Sequence, residues 1–278
     1  LAELTNKKPV DDAAKEIEFV MAVGPSYFIE IAKLRAARLL WAQAVAAFNP
    51  KSPDACSLRL HVRTPRRNKS TFDPHTNLLR AATEALSAVI GGCDKLTIEA
   101  FGFDEHLAVN IQRILQEESH LDAVADPAGG AYYIETLTDS IAKEAWTLFQ
   151  QVEAEGGYSK ALASGSITKA LEATCAARDK AMSSRRRSMV GVNNYPNLME
   201  KAPSRENIPA ALKSALPKYR VSEPFEKIRQ RTIDHAAATG RYPKVLLLTR
   251  GDVKMKGARS NFCLNFFGCG AFDMVVSE

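Results

Sequence analysis

Arg59, His61 and Arg63 alternate with Leu58, Leu60 and Val62 along the run Ser57 to Arg63. In a strand, successive side chains point to opposite faces, so two guanidiniums and an imidazole would share one face. Two cations and an imidazole converging there would suit a phosphate, a carboxylate or a coenzyme-A-type anion. The same residues also suit a polar layer inside a barrel, or charges at a strand end. The basic run Arg63-Thr64-Pro65-Arg66-Arg67-Asn68-Lys69 follows directly. It lies between a strand and a helix, where the active-site loops of β/α barrels sit. It reads either as a grip on an anionic ligand or partner, or as a solvated loop.

Other candidates are weaker. His120 after Glu117-Glu118 resembles an acid/base cluster, but a cation at a helix end is also favoured by the dipole alone. His75 and His106 sit near helix starts and read as surface or packing residues. Gly268-Cys269-Gly270 lacks a full dinucleotide-binding pattern, and no phosphate-binding loop motif occurs. The five cysteines (Cys56, Cys93, Cys175, Cys263, Cys269) have neither zinc-site spacing nor a nucleophile's setting, so reduced thiols in a cytoplasmic protein are expected.

These residues need elements to hold them. Glu18 to Val23 reads as a strand, followed by a helix from Tyr27 to Phe48 with Ser26 as N-cap. Phe28, Ile31, Leu34 and Trp41 are its expected buried face. After the strand Ser57 to Arg63, Asp73-Pro74 opens a helix with Leu78, Ala82, Ala85, Leu86 and Val89 as its apolar stripe, closed by Gly91-Gly92. Further units follow: strand Lys95 to Phe101 with helix Glu105 to Glu118, then strand Asp122 to Ala125 with a helix capped by Thr136 or Thr138. Leu107, Ile111, Ile114 and Leu115 carry the first of these helices. Ile141, Ala145, Leu148 and Val152 carry the second. Between 191 and 240, recurring prolines suggest a linker with a few short helices. Strand Lys244 to Thr249, helix Ala258 to Phe267 and strand Phe272 to Val276 then form a new α/β unit.

Helical crossovers imply parallel strands. Four β/α units are half of an eightfold barrel, whose other half is expected upstream of Leu1 or from another chain. The final βαβ unit also looks incomplete, and the chain opens on Leu rather than Met.

Composition narrows the class. The chain has 278 residues, 46% hydrophobic and 25% charged, with 37 basic and 32 acidic side chains giving +5. That is ordinary for a globular protein and excludes a disordered or collagenous chain. The one dense basic cluster, Arg185-Arg186-Arg187, is too short to argue for nucleic acid. No apolar run reaches the roughly 18 residues of a membrane helix. The residues alone stop at an enzyme-like α/β chain with no assigned function.

Longer motifs add a resemblance. Asp126-Pro127-Ala128-Gly129-Gly130-Ala131-Tyr132-Tyr133 resembles the Asp-Pro-x-Gly-Gly-x-Tyr motif of the methylmalonyl-CoA mutase family. The runs Glu30 to Trp41, Thr83 to Val89, Asn110 to Ser119, Glu153 to Gly157 and Gly191-Val192-Asn193 are similar to that family in the same order. The resemblance implies three parts. Residues 1–190 would be the C-terminal half of a (β/α)8 barrel for acyl-CoA. Residues 191–241 would be a linker. Residues 242–278 would begin a flavodoxin-like cobalamin domain.

The departures from the family are informative. Family cobalamin domains carry Asp-x-His-x-x-Gly, whose His ligates cobalt; here Asp252-Val253-Lys254-Met255-Lys256-Gly257 puts Lys254 in its place. A lysine ammonium has no lone pair for a metal. Active chains carry Arg-x-Ser before the strand aligned here with Phe19 to Gly24, where this chain has Glu16 and Glu18. They also carry His-x-Gln-Thr-Ser-Gly-Trp where this chain keeps only His61 and Thr64. The family's catalytic Tyr-His pair lies upstream of this region, and no such dipeptide occurs here. These losses, with Asn265-Phe266-Phe267-Gly268-Cys269, resemble the small, non-catalytic subunit of heterodimeric bacterial members.

The resemblance therefore implies a structural subunit with no catalytic residue, cofactor ligand or metal site of its own. Adenosylcobalamin is expected on a large catalytic partner. Arg59, His61 and Arg63 are the substrate-binding residues if any are retained. Neither nucleic acid nor membrane is an expected partner. A diverged active acyl-CoA mutase, or a scaffold or regulatory partner reusing the fold, is the alternative.

Overall fold

The computed structural model describes residues 1–200 and 219–277, which divide into two compact units. The first comprises Leu1–Pro65, Arg80–Glu99 and Glu105–Ile167; the second comprises Arg66–Leu79, Ala100–Asp104 and Thr168–Glu278.

In the first unit, α1 (Ala2–Thr5) and α2 (Val10–Lys15) lead into β1 (Glu18–Ala22) and α3 (Tyr27–Ala46). Then come β2 (Arg59–Arg63), α4 (Pro74–Ile90, which enters the unit at Arg80) and β3 (Lys95–Thr97). The three strands form one parallel sheet in the order β1-β2-β3. Leu58, Leu60 and Val62 are buried with Val23, Leu34 and Val45, as the alternation predicts. Phe19 and Met21 lie opposite Leu60 and Val62, and the Phe19 ring meets Trp41 edge-on at 5.2 Å. That face of the sheet is therefore the core face.

The rest of the unit departs from the expected pattern. β3 ends at Thr97 rather than Phe101. The Thr97 carbonyl accepts from the Thr64 amide, and the Thr64 hydroxyl takes the Glu99 amide, so side-chain bonding replaces the ladder. α5 (Glu105–Arg113) continues as a π-helical stretch, Ile114–Glu118. Residues 122–125 form turns and bends rather than a strand. Local bonds from Leu121 to Leu115 and from Ala123 to His120 hold that segment instead, and Val124 is exposed.

α6 (Tyr132–Ala154) starts well before the expected threonine caps, and α7 (Tyr158–Ala163) follows it. The Glu135 carboxylate accepts from the Gly130 amide at the start of α6. The Thr136 and Thr138 hydroxyls instead bond carbonyls four residues back. Ser26 stands at the N-cap position of α3 without a side-chain cap bond. Phe28, Leu107, Ile114 and Leu148 are exposed rather than buried. α3 packs on α6 as well as on the sheet core.

In the second unit, α8 (Ser166–Ser183) precedes α9 (Glu223–Thr239), β4 (Lys244–Leu247), α10 (Val253–Gly268) and β5 (Asp273–Val276). β4 and β5 pair in parallel across α10. α9 is one long helix where short ones were expected, because Pro224 stands in its first turn, where a missing amide costs nothing. Pro203, Pro209 and Pro217 lie outside the described residues. α10 begins at Val253 rather than Ala258, since Asp252 caps it by accepting from the Met255 amide at 3.1 Å.

Candidate functional site

The second face of the β1-β2-β3 sheet is polar. By register it carries Glu18, Val20 and Ala22 on β1, Arg59, His61 and Arg63 on β2, and Lys95 and Thr97 on β3. Val20 is 61% exposed, so this face is open within the described residues. Parallel sheets are ordinarily covered on both faces. The face also satisfies much of its own polarity. Lys95 Nζ lies 2.7 Å from Glu18 Oε1, and His61 Nε2 is 2.7 Å from Thr97 Oγ1. The Lys95 bond, aided by His61 and Arg59, holds the Glu18 carboxyl below the usual carboxylate range. Arg59 is exposed and Arg63 half-buried. The strand thus brings Arg59, His61 and Arg63 together as expected, but with an acid, Glu18, among them. No sequence signal paired Glu18 with Lys95, because that contact crosses an intervening strand.

The basic run does not form a solvated loop. In the second unit, Asn68, Lys69 and Ser70 are buried. The Val221 amide donates to the Arg67 carbonyl, and the Ser222 hydroxyl donates to the Lys69 carbonyl at 2.7 Å. Arg220 is ion-paired with Glu226, whose carboxylate also takes the Thr71 amide. Those pairings hold Glu226 low against the opposing pull of its burial. A segment some 150 residues downstream in the chain therefore bonds the Arg67–Lys69 end of the run.

The Asp-Pro-x-Gly-Gly-x-Tyr segment has a structural role in the first unit. Arg35 forks onto both oxygens of Asp126 at 2.9 and 3.0 Å, reaches Glu135 at 2.8 Å and donates to Thr138 at 3.1 Å. Arg35 lies within the Glu30–Trp41 run, and only the fold brings it against a segment 91 residues away. Asn193 of the Gly-Val-Asn motif, in the second unit, is also structural. It takes the Met189 amide and donates to the Met182 and Arg187 carbonyls.

The other candidates do not gather into a site. His120 is exposed beyond the π-helical stretch with φ near 50°, and it makes no side-chain hydrogen bond or ion pair with Glu117 or Glu118. His75 and His106 are exposed. Burial pushes the Cys93 thiol up to about 11 and raises Cys269 as well, so neither is poised as a thiolate. Lys254 is exposed in the first turn of α10. No cluster of potential metal ligands, and no helix long and apolar enough to cross a membrane, occurs among the described residues.

Helices alternating with parallel strands, and a polar sheet face opposite an apolar core face, define a mixed α/β protein of β/α-repeat type. The chain belongs to the methylmalonyl-CoA mutase family, whose model matches residues 3–238. It is 39% identical to a methylmalonyl-CoA mutase small subunit of Porphyromonas gingivalis, over 99% of this chain and 47% of that protein. A small subunit from Streptomyces virginiae is 38% identical over 96% of this chain and 44% of that protein. A methylmalonyl-CoA mutase of Cereibacter sphaeroides is 41% identical over 70% of this chain and 28% of that protein. The chain spans about half the length of the small-subunit relatives it matches.

Proposed function

We propose that the chain is part of the small, structural subunit of an adenosylcobalamin-dependent methylmalonyl-CoA mutase. Such an enzyme interconverts methylmalonyl-CoA and succinyl-CoA. A large catalytic subunit would be the partner, and it would carry the cofactor. Residues 1–190 would form the C-terminal half of a (β/α)8 barrel, 191–241 a linker, and 242–278 the start of a flavodoxin-like domain. The open polar face of the β1-β2-β3 sheet supports the barrel, because a barrel interior would cover it. Parallel β4 and β5 joined by α10 support the last assignment.

The observation that carries the reading is the acid on the sheet face, where Glu18 pairs with Lys95 and leaves Arg59 and Arg63 as the cations without an acidic partner. An acyl-CoA anion needs uncommitted cations and donors. Glu18 places a carboxylate in that field and holds Lys95, while His61 is bonded to Thr97. The cobalamin-type region points the same way. Lys254 offers an exposed ammonium where the family's ligating imidazole would stand, and an ammonium has no lone pair for cobalt. The residues present do not fit the cofactor.

A second reading, a diverged but active acyl-CoA mutase, draws on exposed Arg59 and half-buried Arg63 on the open face. The test is bound cobalamin, by absorbance, on the full-length subunit purified alone and then with its large partner. Cobalamin only in the complex, at one per pair, is the expected result. Cobalamin on the subunit alone would overturn the proposal and favour the second reading.

A further inference from the structure

α6 does not lie where the order of the units would leave it. It follows β3 and α5 in the chain, yet it packs on α3, the helix after β1. Arg35 fixes the start of that contact through Glu135 and Thr138. Toward its C-terminal end, α6 encloses a groove of about 560 Å³ with α3 and β1, within the first unit.

The groove is apolar and unfilled. Phe19 and Met21 of β1, Leu40 of α3, and Trp146 and Phe149 of α6 line it. Trp146 and Phe149 stack at 5.2 Å between ring centroids. Phe19, Trp146 and Phe149 are 36, 39 and 49% exposed, so three large rings still have surface to bury. Two charges border the groove. Lys33 Nζ is committed to the Ala22 carbonyl at 2.6 Å and to the Glu30 carboxylate. The Glu153 carboxylate has no hydrogen bond or ion pair among the described residues.

The sheet says what shape the occupant has. In the order β1-β2-β3, β1 has an unpaired side. A further parallel strand there would reach β1 by a right-handed crossover, with its helix on the face that α3 covers. α3 covers the apolar face, where Leu34, Trp41 and Val45 meet Leu58, Leu60 and Val62. Phe19 and Met21 open from that face into the groove, beside the unpaired side of β1. The small-subunit relatives are about twice as long as this chain, which leaves length for such a unit.

We propose that α6 is a clasp. In the full-length subunit, the helix that crosses over to β1 lies in this groove. Its apolar stripe packs between β1 and the Trp146–Phe149 pair, and a basic side chain on it meets Glu153. The proposal rests on the half-barrel reading above and goes beyond it, because barrel order alone would leave α6 beyond β3.

Cysteine variants of the full-length subunit test it by iodoacetamide labelling, resolved by site with peptide mass spectrometry. Each rate is taken relative to the same site in urea-unfolded protein. Phe149→Cys should label at least about tenfold more slowly than Ser140→Cys, an exposed position of α6 outside the groove. Trp146→Cys repeats the test if Phe149→Cys fails to fold. Val20→Cys, on the polar face, reads barrel closure separately. Protection at Val20→Cys without protection at Phe149→Cys would overturn the clasp and leave the half-barrel reading standing. Protection at neither would overturn both. Equal protection of Ser140→Cys and Phe149→Cys would overturn the clasp, since α6 would then be buried all round. Protection at Phe149→Cys that disappears on dilution would assign the groove to a second copy and overturn it too.

Discussion

At Arg35, one guanidinium ties α3 to the segment before α6 and to α6 itself, through Asp126, Glu135 and Thr138. The arginine side chain is 15% exposed, while its two carboxylate partners are about half exposed. Solvent screens such pairs, so the group is worth less than a count of its bonds suggests. Arg35→Ala should cost about 2 kcal/mol. Urea unfolding followed by tryptophan emission would measure it, since Trp41 and Trp146, the only two tryptophans, both lie in the first unit. A midpoint unchanged from wild type would refute the clamp.

The same residue gives a pH dependence. Arg35 and the Gly130 amide hold the Glu135 carboxyl below its ordinary value. A lowered folded pKa contributes stability above the unfolded value, about 4.3, and that contribution disappears as pH falls through the folded value. Wild type should therefore lose more stability than Arg35→Ala between about pH 5 and pH 3. Parallel losses in the two proteins would contradict this. The residue types around Arg35 were legible in the sequence, but their partnership was not. Nothing local links position 35 to position 126.

Among the elements, two glycines show how packing decides the sign of one substitution. A Cβ on Gly91, just past α4, would lie 2.8 Å from Leu34 Cδ1, 3.0 Å from the Ser87 carbonyl and 3.3 Å from Ile31 Cα. Gly91→Ala should destabilise the first unit by about 1–3 kcal/mol through overpacking. Gly257 lies inside α10 with nothing within 4 Å of the added carbon. Gly257→Ala should stabilise by about 0.5–1 kcal/mol through helix propensity. Thermal denaturation by circular dichroism would separate the two. A loss of stability in Gly257→Ala would show that α10 packs against something near that position.

Element identity was largely legible: three parallel strands, their crossover helices and the final βαβ unit follow from apolar period and end signals. Boundaries failed where a distant or side-chain group replaced a backbone partner. Thr64 ends β3 early, and Glu135 starts α6 early.

For the whole molecule, cofactor binding needs more than one ligand. A ligating imidazole must be oriented by surrounding groups, and position 254 is exposed in the first turn of α10 with Met255 and Val253 also exposed. Lys254→His alone should not confer cobalamin binding, as absorbance after incubation and desalting would show. Stoichiometric uptake by that single variant would refute this.

The sequence by itself determined the family, the parallel α/β character and the shared face of Arg59, His61 and Arg63. Those properties reside in local period and in ordered motifs, which one stretch of chain carries alone. Tertiary structure alone decided that Glu18 and Lys95 meet on that face, that Asn68 and Lys69 are buried beside Val221 and Ser222, and that Arg35 meets Asp126 and Glu135. Each joins residues distant in sequence, and charge pairing and burial depend on distance in space. No spacing along the chain reports that distance.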